Sequence, residues 1–163
     1  MDQTTFIQLA DRYMDMVYRL TCNYLRSPQD ADDVTQETFL RLLRTDTPFE
    51  GEEHVRRWLV HVAINEAKRL CRSPWRRHTE PLSELKTAEN FADEEQRALF
   101  EAVMELPRKY RVPLYLYYYE GYAAKEVAAL LGRSPSTVQT WLARGRDQLK
   151  QKLKSANKKS TGN

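Results

Sequence analysis

YAAKEVAALLGRSPSTVQTWLARGRDQL, residues 122–149, decides how the whole chain is read. Val127, Ala128 and Leu131 recur at helical spacing and stop at Gly132-Arg133-Ser134, after which Pro135 opens a second helical pattern. Each residue of the break fits its place. Gly132 can take the positive φ of a helix C-cap, Ser134 can cap the next helix, and Pro135 suits a first helical position. Ala128 is small enough for two helices to cross closely. On the second helix Val138, Leu142, Leu149 and Leu153 form one apolar stripe, while Ser136, Gln139, Thr140, Ala143 and Arg144 lie on the open face. This pattern predicts a helix-turn-helix whose second helix enters a DNA major groove. An ordinary helical hairpin with a polar face shares the periodicity but leaves the basic bias without a reason. Gln139 is suited to bidentate contact with adenine, and Thr140 or Ala143 to a thymine methyl. Arg144, Arg146 and Lys150 suit phosphates, which set position without reading sequence.

The charge of the chain is distributed to match. Its 163 residues carry a net +3, but residues 1–72 hold 10 Lys/Arg against 12 Asp/Glu, and residues 94–163 hold 13 against 7. From Gly132 onward the count is 8 basic to 1 acidic, which points to an anionic polymer as partner. The five glycines (Gly51, Gly121, Gly132, Gly145, Gly162) are scattered, which excludes a phosphate-cradling glycine loop. No apolar run approaches the roughly 18 residues of a membrane span. The N-terminal Met1-Asp2-Gln3 lacks the basic-then-apolar order of an export signal, so a cytoplasmic location is expected. Cys22 and Cys71 fit buried small apolar positions. No short Cys/His spacing joins them to His54, His61 or His78, so no metal site is expected.

The composition, 41% apolar with few glycines and prolines, suffices for small helical cores, and helical periodicity with no strand-like alternation predicts an all-α protein of two small helical domains joined by a flexible linker. Phe6, Leu9, Tyr13, Met16, Leu20 and Tyr24 predict a first helix over 5–26, ended by Ser27-Pro28. A second runs over about 30–44, and a loop over 45–51 precedes a third that carries Val55, Trp58, Leu59, Val62 and Leu70. Residues 73–93, with Pro74 and Pro81, read as the linker, in which Trp75, Leu82 or Leu85 can dock on a neighbour. The helical pattern resumes from 94; Leu106-Pro107 ends one helix and Pro113 is expected to open the next, which is rich in tyrosine. Tyr115, Tyr117, Tyr118, Tyr119 and Tyr122 read as core and edge packing. The last helix is expected to run from Pro135 to about Lys154, followed by a disordered basic tail over 155–163.

Two further surfaces stand out. Asp30, Asp33 and Glu37 fall at i, i+3 and i+7 with Gln36 alongside. Taken alone this stripe fits a solvated face, a docking surface for a partner protein, or, with no further acid or histidine converging in sequence, poorly a catalytic pair. Residues 54–77 carry Arg56, Arg57, Lys68, Arg69, Arg72, Arg76 and Arg77 against the single acid Glu66, just after a loop bearing Phe49. A basic groove beside an aromatic suits unstacked single-stranded bases, although Phe49 also fits a core position.

Asp30-Ala31-Asp32-Asp33-Val34-Thr35-Gln36-Glu37-Thr38-Phe39-Leu40-Arg41 resembles the core-polymerase-binding helix of bacterial sigma factors. Phe49-Glu50-Gly51, Trp58-Leu59 and Ala63-Ile64-Asn65 resemble their promoter-melting and minus-ten-reading segment. Leu106-Pro107-Arg108-Lys109-Tyr110-Arg111, Glu126-Val127-Ala128 and Ser136-Thr137-Val138 resemble their minus-thirty-five-binding domain. The three occur in the family's order, and the short 73–93 spacer leaves no room for an intermediate domain. That layout is similar to the extracytoplasmic-function class of the sigma-70 family. The resemblance implies a region 2 domain over 1–72 and a region 4 helix-turn-helix domain over 94–154. It implies that Asp33, Gln36, Glu37 and Arg41 dock on core RNA polymerase, whose largest-subunit clamp and flap are the expected contacts. Phe49, Arg57, Trp58, Asn65, Lys68 and Arg69 would handle the minus-ten strand. Ser136, Thr137, Gln139, Thr140, Ala143, Arg144 and Arg146 would contact minus-thirty-five DNA. It further implies a non-catalytic subunit with no cofactor, no metal and no small-molecule substrate, commonly held by an anti-sigma factor that is often membrane-anchored. One departure is local: Gln139, Thr140 and Trp141 stand where many members carry a basic, a small hydroxyl and an arginine residue.

Two other classes compete. A stand-alone helix-turn-helix regulator uses residues 94–153 but leaves the acidic stripe and the Phe49/Trp58/Asn65 segment idle. A serine recombinase requires an organised serine nucleophile and a sheet, and Ser27 before Pro28 is the only serine ahead of residue 73.

Overall fold

A computed structural model describes residues 1–73 and 93–161, with side chains as far as Ala156. The described residues hold seven helices and no strand. Trp75, Arg76, Arg77, His78, Leu82 and Leu85 lie outside them, as do the side chains of Lys158 and Lys159. The chain divides into two compact units, the first holding three helices and the second four.

In the first unit α1 (Gln3–Leu25), α2 (Pro28–Arg44) and α3 (Glu52–Cys71) pack pairwise against one another. The Asp2 side chain caps α1 by accepting from the Thr5 N–H at 2.8 Å. That bond holds the Asp2 carboxyl below its ordinary pKa. Between α1 and α2 the chain reverses in two residues. Arg26 takes a left-handed conformation (φ 54°), and Ser27 is extended because Pro28 disfavours α geometry in the residue before it. The Ser27 hydroxyl then accepts from the Asp30 N–H at 3.2 Å. The core joins Leu20, Leu25, Leu42, Leu59 and Ile64, all essentially inaccessible. A buried contact between the Thr21 and Thr35 hydroxyls, 3.1 Å apart, pins α1 to α2.

The second unit is built from α4 (Glu94–Met104), α5 (Arg108–Tyr118), α6 (Ala124–Leu131) and α7 (Pro135–Thr161). Asp93 caps α4 through the Glu95 N–H at 2.9 Å. Helix α5 does not begin at Pro113: it starts at Arg108, with Pro107 as its N-cap and Pro113 in its interior. The carbonyl of Pro107 accepts from both Tyr110 and Arg111, at 3.0 and 2.9 Å, and so nucleates the helix five residues ahead of that proline. An internal proline costs about 3 kcal/mol. Burial offsets it, because every residue from Tyr110 to Leu116 is withdrawn from solvent. Arg111 is among them, 3% exposed, with its guanidinium donating to the Leu106 carbonyl at 3.0 Å. It therefore caps the end of the preceding segment instead of adding to the basic surface.

Helix α7 continues past Lys154 to Thr161, 27 residues or roughly 40 Å, through most of the segment expected to be a disordered tail. Its apolar stripe is as expected at Val138 and Leu142, both buried, whereas Leu149 and Leu153 are only half-buried. Between them lies Gly145. A Cβ at this position would sit 2.9 Å from Leu114 Cδ1 and 3.2 Å from Tyr110 Cβ, so α5 and α7 cross here at near-backbone contact. Replacing Gly145 by leucine gains about 1 kcal/mol of helix propensity but overpacks this crossing by more. The net expectation is a loss of about 1–3 kcal/mol in urea unfolding; an unchanged midpoint would mean the helices are not locked at this point.

Candidate nucleic-acid and polymerase interfaces

The α6–α7 turn is built by its caps. Gly132 adopts φ 68°, and the Arg133 N–H returns to the Ala128 carbonyl at 3.0 Å. Ser134 accepts from the Thr137 N–H at 3.2 Å and lies 2.8 Å from the Thr137 hydroxyl. The Glu126 carboxylate accepts from the Ala123 N–H at 3.1 Å, closing the start of α6. With α7 aimed in this way, Ser136, Gln139, Thr140, Ala143, Arg144 and Arg146 are all exposed. At about 100° per residue Gln139, Ala143, Arg146 and Lys150 share one row, with Thr140 and Arg144 on the next. Thr137 is half-buried, and its hydroxyl contacts the capping serine. Arg146 donates to the Tyr118 hydroxyl at 3.3 Å, which raises the guanidinium pKa further. Arg133 lies over the Trp141 ring, 5.8 Å from its centre, so a cation stands beside the position where the familiar pattern has lost one.

In the first unit, His54, Trp58, His61, Asn65 and Lys68 follow alternating four- and three-residue steps and form a single row on α3, which Arg72 continues at the C-cap. Phe49 is half-buried and meets both His54 and Trp58 edge-on, with ring centres 5.2 and 5.6 Å apart. His54 Nδ1 accepts from the Glu50 N–H at 3.1 Å, tying the Phe49 loop to the helix. Asn65 Nδ2 and His61 Nε2 are 3.1 Å apart. Arg57, on the edge of this row, pairs with Glu53 at 3.1 Å. The Glu53 carboxyl is held below its ordinary pKa chiefly by the hydrogen bond from Arg56, with Arg57 adding to it. Arg69 turns toward Glu66, at 2.9 Å.

On α2, Asp33 and Gln36 are exposed and Glu37 is half-buried. Leu40 and Leu43, about 40% exposed, follow them along α2, so an apolar patch adjoins the C-terminal end of the acidic stripe. Arg41 Nε is 3.2 Å from Glu37, and its Nη2 is 2.6 Å from Glu66 of α3. Among the described residues no three His, Cys, Asp or Glu side chains gather as a metal-binding group, and no helix is long and apolar enough to cross a membrane.

Residues 9–77 match the family model Sigma-70 region 2, and residues 96–149 match Sigma-70, region 4. The chain belongs to the sigma-70 family, in its extracytoplasmic-function class. It is similar to the ECF RNA polymerase sigma-E factor of Haemophilus influenzae, 27% identical over 169 residues that cover 93% of this chain and 89% of that protein. The sigma-E factor of Escherichia coli K12 is also 27% identical, over 93% and 88%. Among solved structures, the sigma factor RpoE in complex with the anti-sigma factor NepR from Bartonella quintana shares the fold, with a TM-score of 0.66 at 17% identity over 92% and 97% of the two chains. CnrH in complex with the cytosolic domain of CnrY gives 0.59 at 26% identity over 94% and 90%.

For this sigma-70 protein, then, the structure gathers the sequence-derived residues into three surfaces: the α7 face, the Phe49–α3 row, and the α2 stripe. Arg41 and Arg69 stand apart, since both are tied to Glu66. Sequence reading missed His54 and His61 as members of the α3 row, although their seven-residue spacing around Trp58 was a usable signal. Tyr117 and Tyr118 are exposed, unlike the buried Tyr115 and Tyr122. The turn itself is testable: Ser134→Ala removes the α7 cap and should cost the protein about 1 kcal/mol in chemical denaturation. No loss at all would place the cap elsewhere.

Proposed function

We infer that this sigma factor binds core RNA polymerase through Asp33, Gln36, Glu37 and Arg41 of α2, with Leu40 and Leu43 supplying apolar contact. Phe49, Arg57, Trp58, Asn65 and Lys68 receive the opened minus-ten strand, with Arg69 at the edge of that row. The exposed face of α7 enters minus-thirty-five duplex DNA. Gln139 reads a base there, Thr140 or Ala143 contacts a thymine methyl, Ser136 and Thr137 lie at the helix entrance, and Arg144 and Arg146 grip phosphates. The domains carrying these roles are taken as 1–72 and 94–154, with 73–93 between them and 155–163 beyond. The protein acts in the cytoplasm as a non-enzymatic subunit; bond-making belongs to the polymerase. An anti-sigma factor is its expected regulator.

One observation carries this reading. A single three-helix unit presents an acidic and apolar stripe on α2 and an aromatic and basic row on α3. A stand-alone DNA-binding regulator has use for neither. The rings of Phe49 and Trp58 can stack an unpaired base on their faces, the polar Asn65 beside them can hydrogen-bond it, and Lys68 can follow its backbone.

The deciding experiment is run-off transcription by sigma-free bacterial core polymerase on genomic fragments. Discrete transcripts should appear with this protein and vanish with a Gln36→Ala/Glu37→Ala double variant; no transcripts with the unmodified chain would reject the reading. On a promoter so found, Gln139→Ala should lose about 1–3 kcal/mol of discrimination at one base pair. Arg144→Ala should instead weaken all duplexes alike and reduce the salt slope by about 0.9. Exchange of these two behaviours would reverse the assignment of reader and clamp.

A further inference from the structure

Among the described residues Glu66 is the only buried carboxylate, 6% exposed. Its Oε1 lies 2.6 Å from Arg41 Nη2 of α2, and its Oε2 lies 2.9 Å from Arg69 Nη2 and 3.3 Å from Arg69 Nε. Arg41 Nε in turn reaches Glu37 Oε1 at 3.2 Å. Four side chains thus form one line, Glu37–Arg41–Glu66–Arg69. Glu37 ends it on the α2 docking stripe, and Arg69 ends it at the edge of the strand-facing row of α3.

The two cations at the rim of that row are not equivalent. Arg57 pairs with Glu53, and both are well exposed, 47% and 62%. Water and salt screen such a pair, and a phosphate can replace the carboxylate with little penalty. Glu66 is different. A carboxylate held out of water loses several kcal/mol when stripped of a partner, so Arg69 cannot be surrendered to a phosphate on the same terms. Arg69 is 74% exposed yet anchored from below. Arg41 is held the same way from the opposite helix, which fixes the guanidinium that lies against Glu37.

We propose that Glu66 is a positioning residue with two opposed effects: it fixes Arg41, and through it Glu37, on the polymerase-docking face, and it withholds Arg69 from the nucleic-acid strand. The proposal rests on the docking and strand-binding reading given above. Glu66 touches neither partner. It sets one cation in use on α2 and keeps another out of use on α3.

The test uses the full chain assembled with sigma-free core polymerase. Affinity for core is measured by titration, and binding of the holoenzyme to a labelled single-stranded promoter oligonucleotide is measured across a salt series. Glu66→Gln keeps the side-chain volume and removes the charge. It should weaken core binding about threefold or more, with no further loss when combined with Arg41→Gln. The same variant should tighten strand binding roughly fourfold at 0.15 M salt and steepen the salt slope by about 0.7, as one released cation requires. Adding Arg69→Gln should erase that gain. Arg69→Gln alone, checked for folding by circular dichroism, should leave the slope as it was. A slope that falls by about 0.7 with Arg69→Gln, or a Glu66→Gln chain that loses both affinities together, would overturn the proposal in favour of a purely structural role. If the unmodified chain failed to join core polymerase, the docking reading would fall and take the proposal with it. If the unmodified chain joins core and binds the strand while Glu66→Gln changes neither, the assignment of Glu66 alone falls.

Discussion

A carboxylate removed from water has to be met by cations, and in the first unit that requirement at Glu66 sets where α2 and α3 can sit. Its two oxygens face Arg41 on one helix and Arg69 on its own. Apolar packing among Leu25, Val34 and Ala67 holds the same helices together, but such packing tolerates small slips. A charge pair at 2.6 Å does not, because an uncompensated buried charge is far more costly than a displaced methyl group. The relative register of the acidic stripe and the aromatic row is thereby fixed by one side chain that belongs to neither.

The second unit obeys a steric constraint instead. Helix α7 has to pack on α5 along one side and leave the opposite side free, and a helix achieves both only where its buried side is narrow. Gly145 narrows it, allowing α5 and α7 to approach to near-backbone contact. The caps at Gly132 and Ser134 then set the direction in which α7 leaves the turn. Position and direction together decide that Gln139, Thr140 and Arg144 face outward.

Elements whose cause is local were legible in the sequence. The break at Ser27-Pro28, the Gly132–Pro135 turn and the apolar periodicity of α1, α3 and α7 each depend on residues within a few positions of one another. Helix α5 was misread for a related reason: Pro113 is a strong local signal against a helix interior, and burial of the whole Tyr110–Leu116 segment overrode it. Arg111 is one of the 13 cations counted over 94–163, and nothing local marks it as buried.

By itself the sequence determined the all-helical class, the order of the elements and the presence of three chemically distinct stripes, since each follows from a period of three to four residues and from capping chemistry read in place. Only the tertiary structure decided which charges are available. The Arg41–Glu66 contact cannot be read until α2 is laid against α3, whereas Arg69 and Glu66, three residues apart on one helix, are within reach of a local rule. The Arg41–Glu66 pair spans 25 residues of chain, and no short-range rule connects its two members. The same holds for Phe49, which becomes part of a row only when its loop folds back onto His54 and Trp58. Periodicity fixes the face of a helix on which a side chain stands. What that side chain meets there depends on a second helix, whose approach is set by packing and by the cost of burying charge.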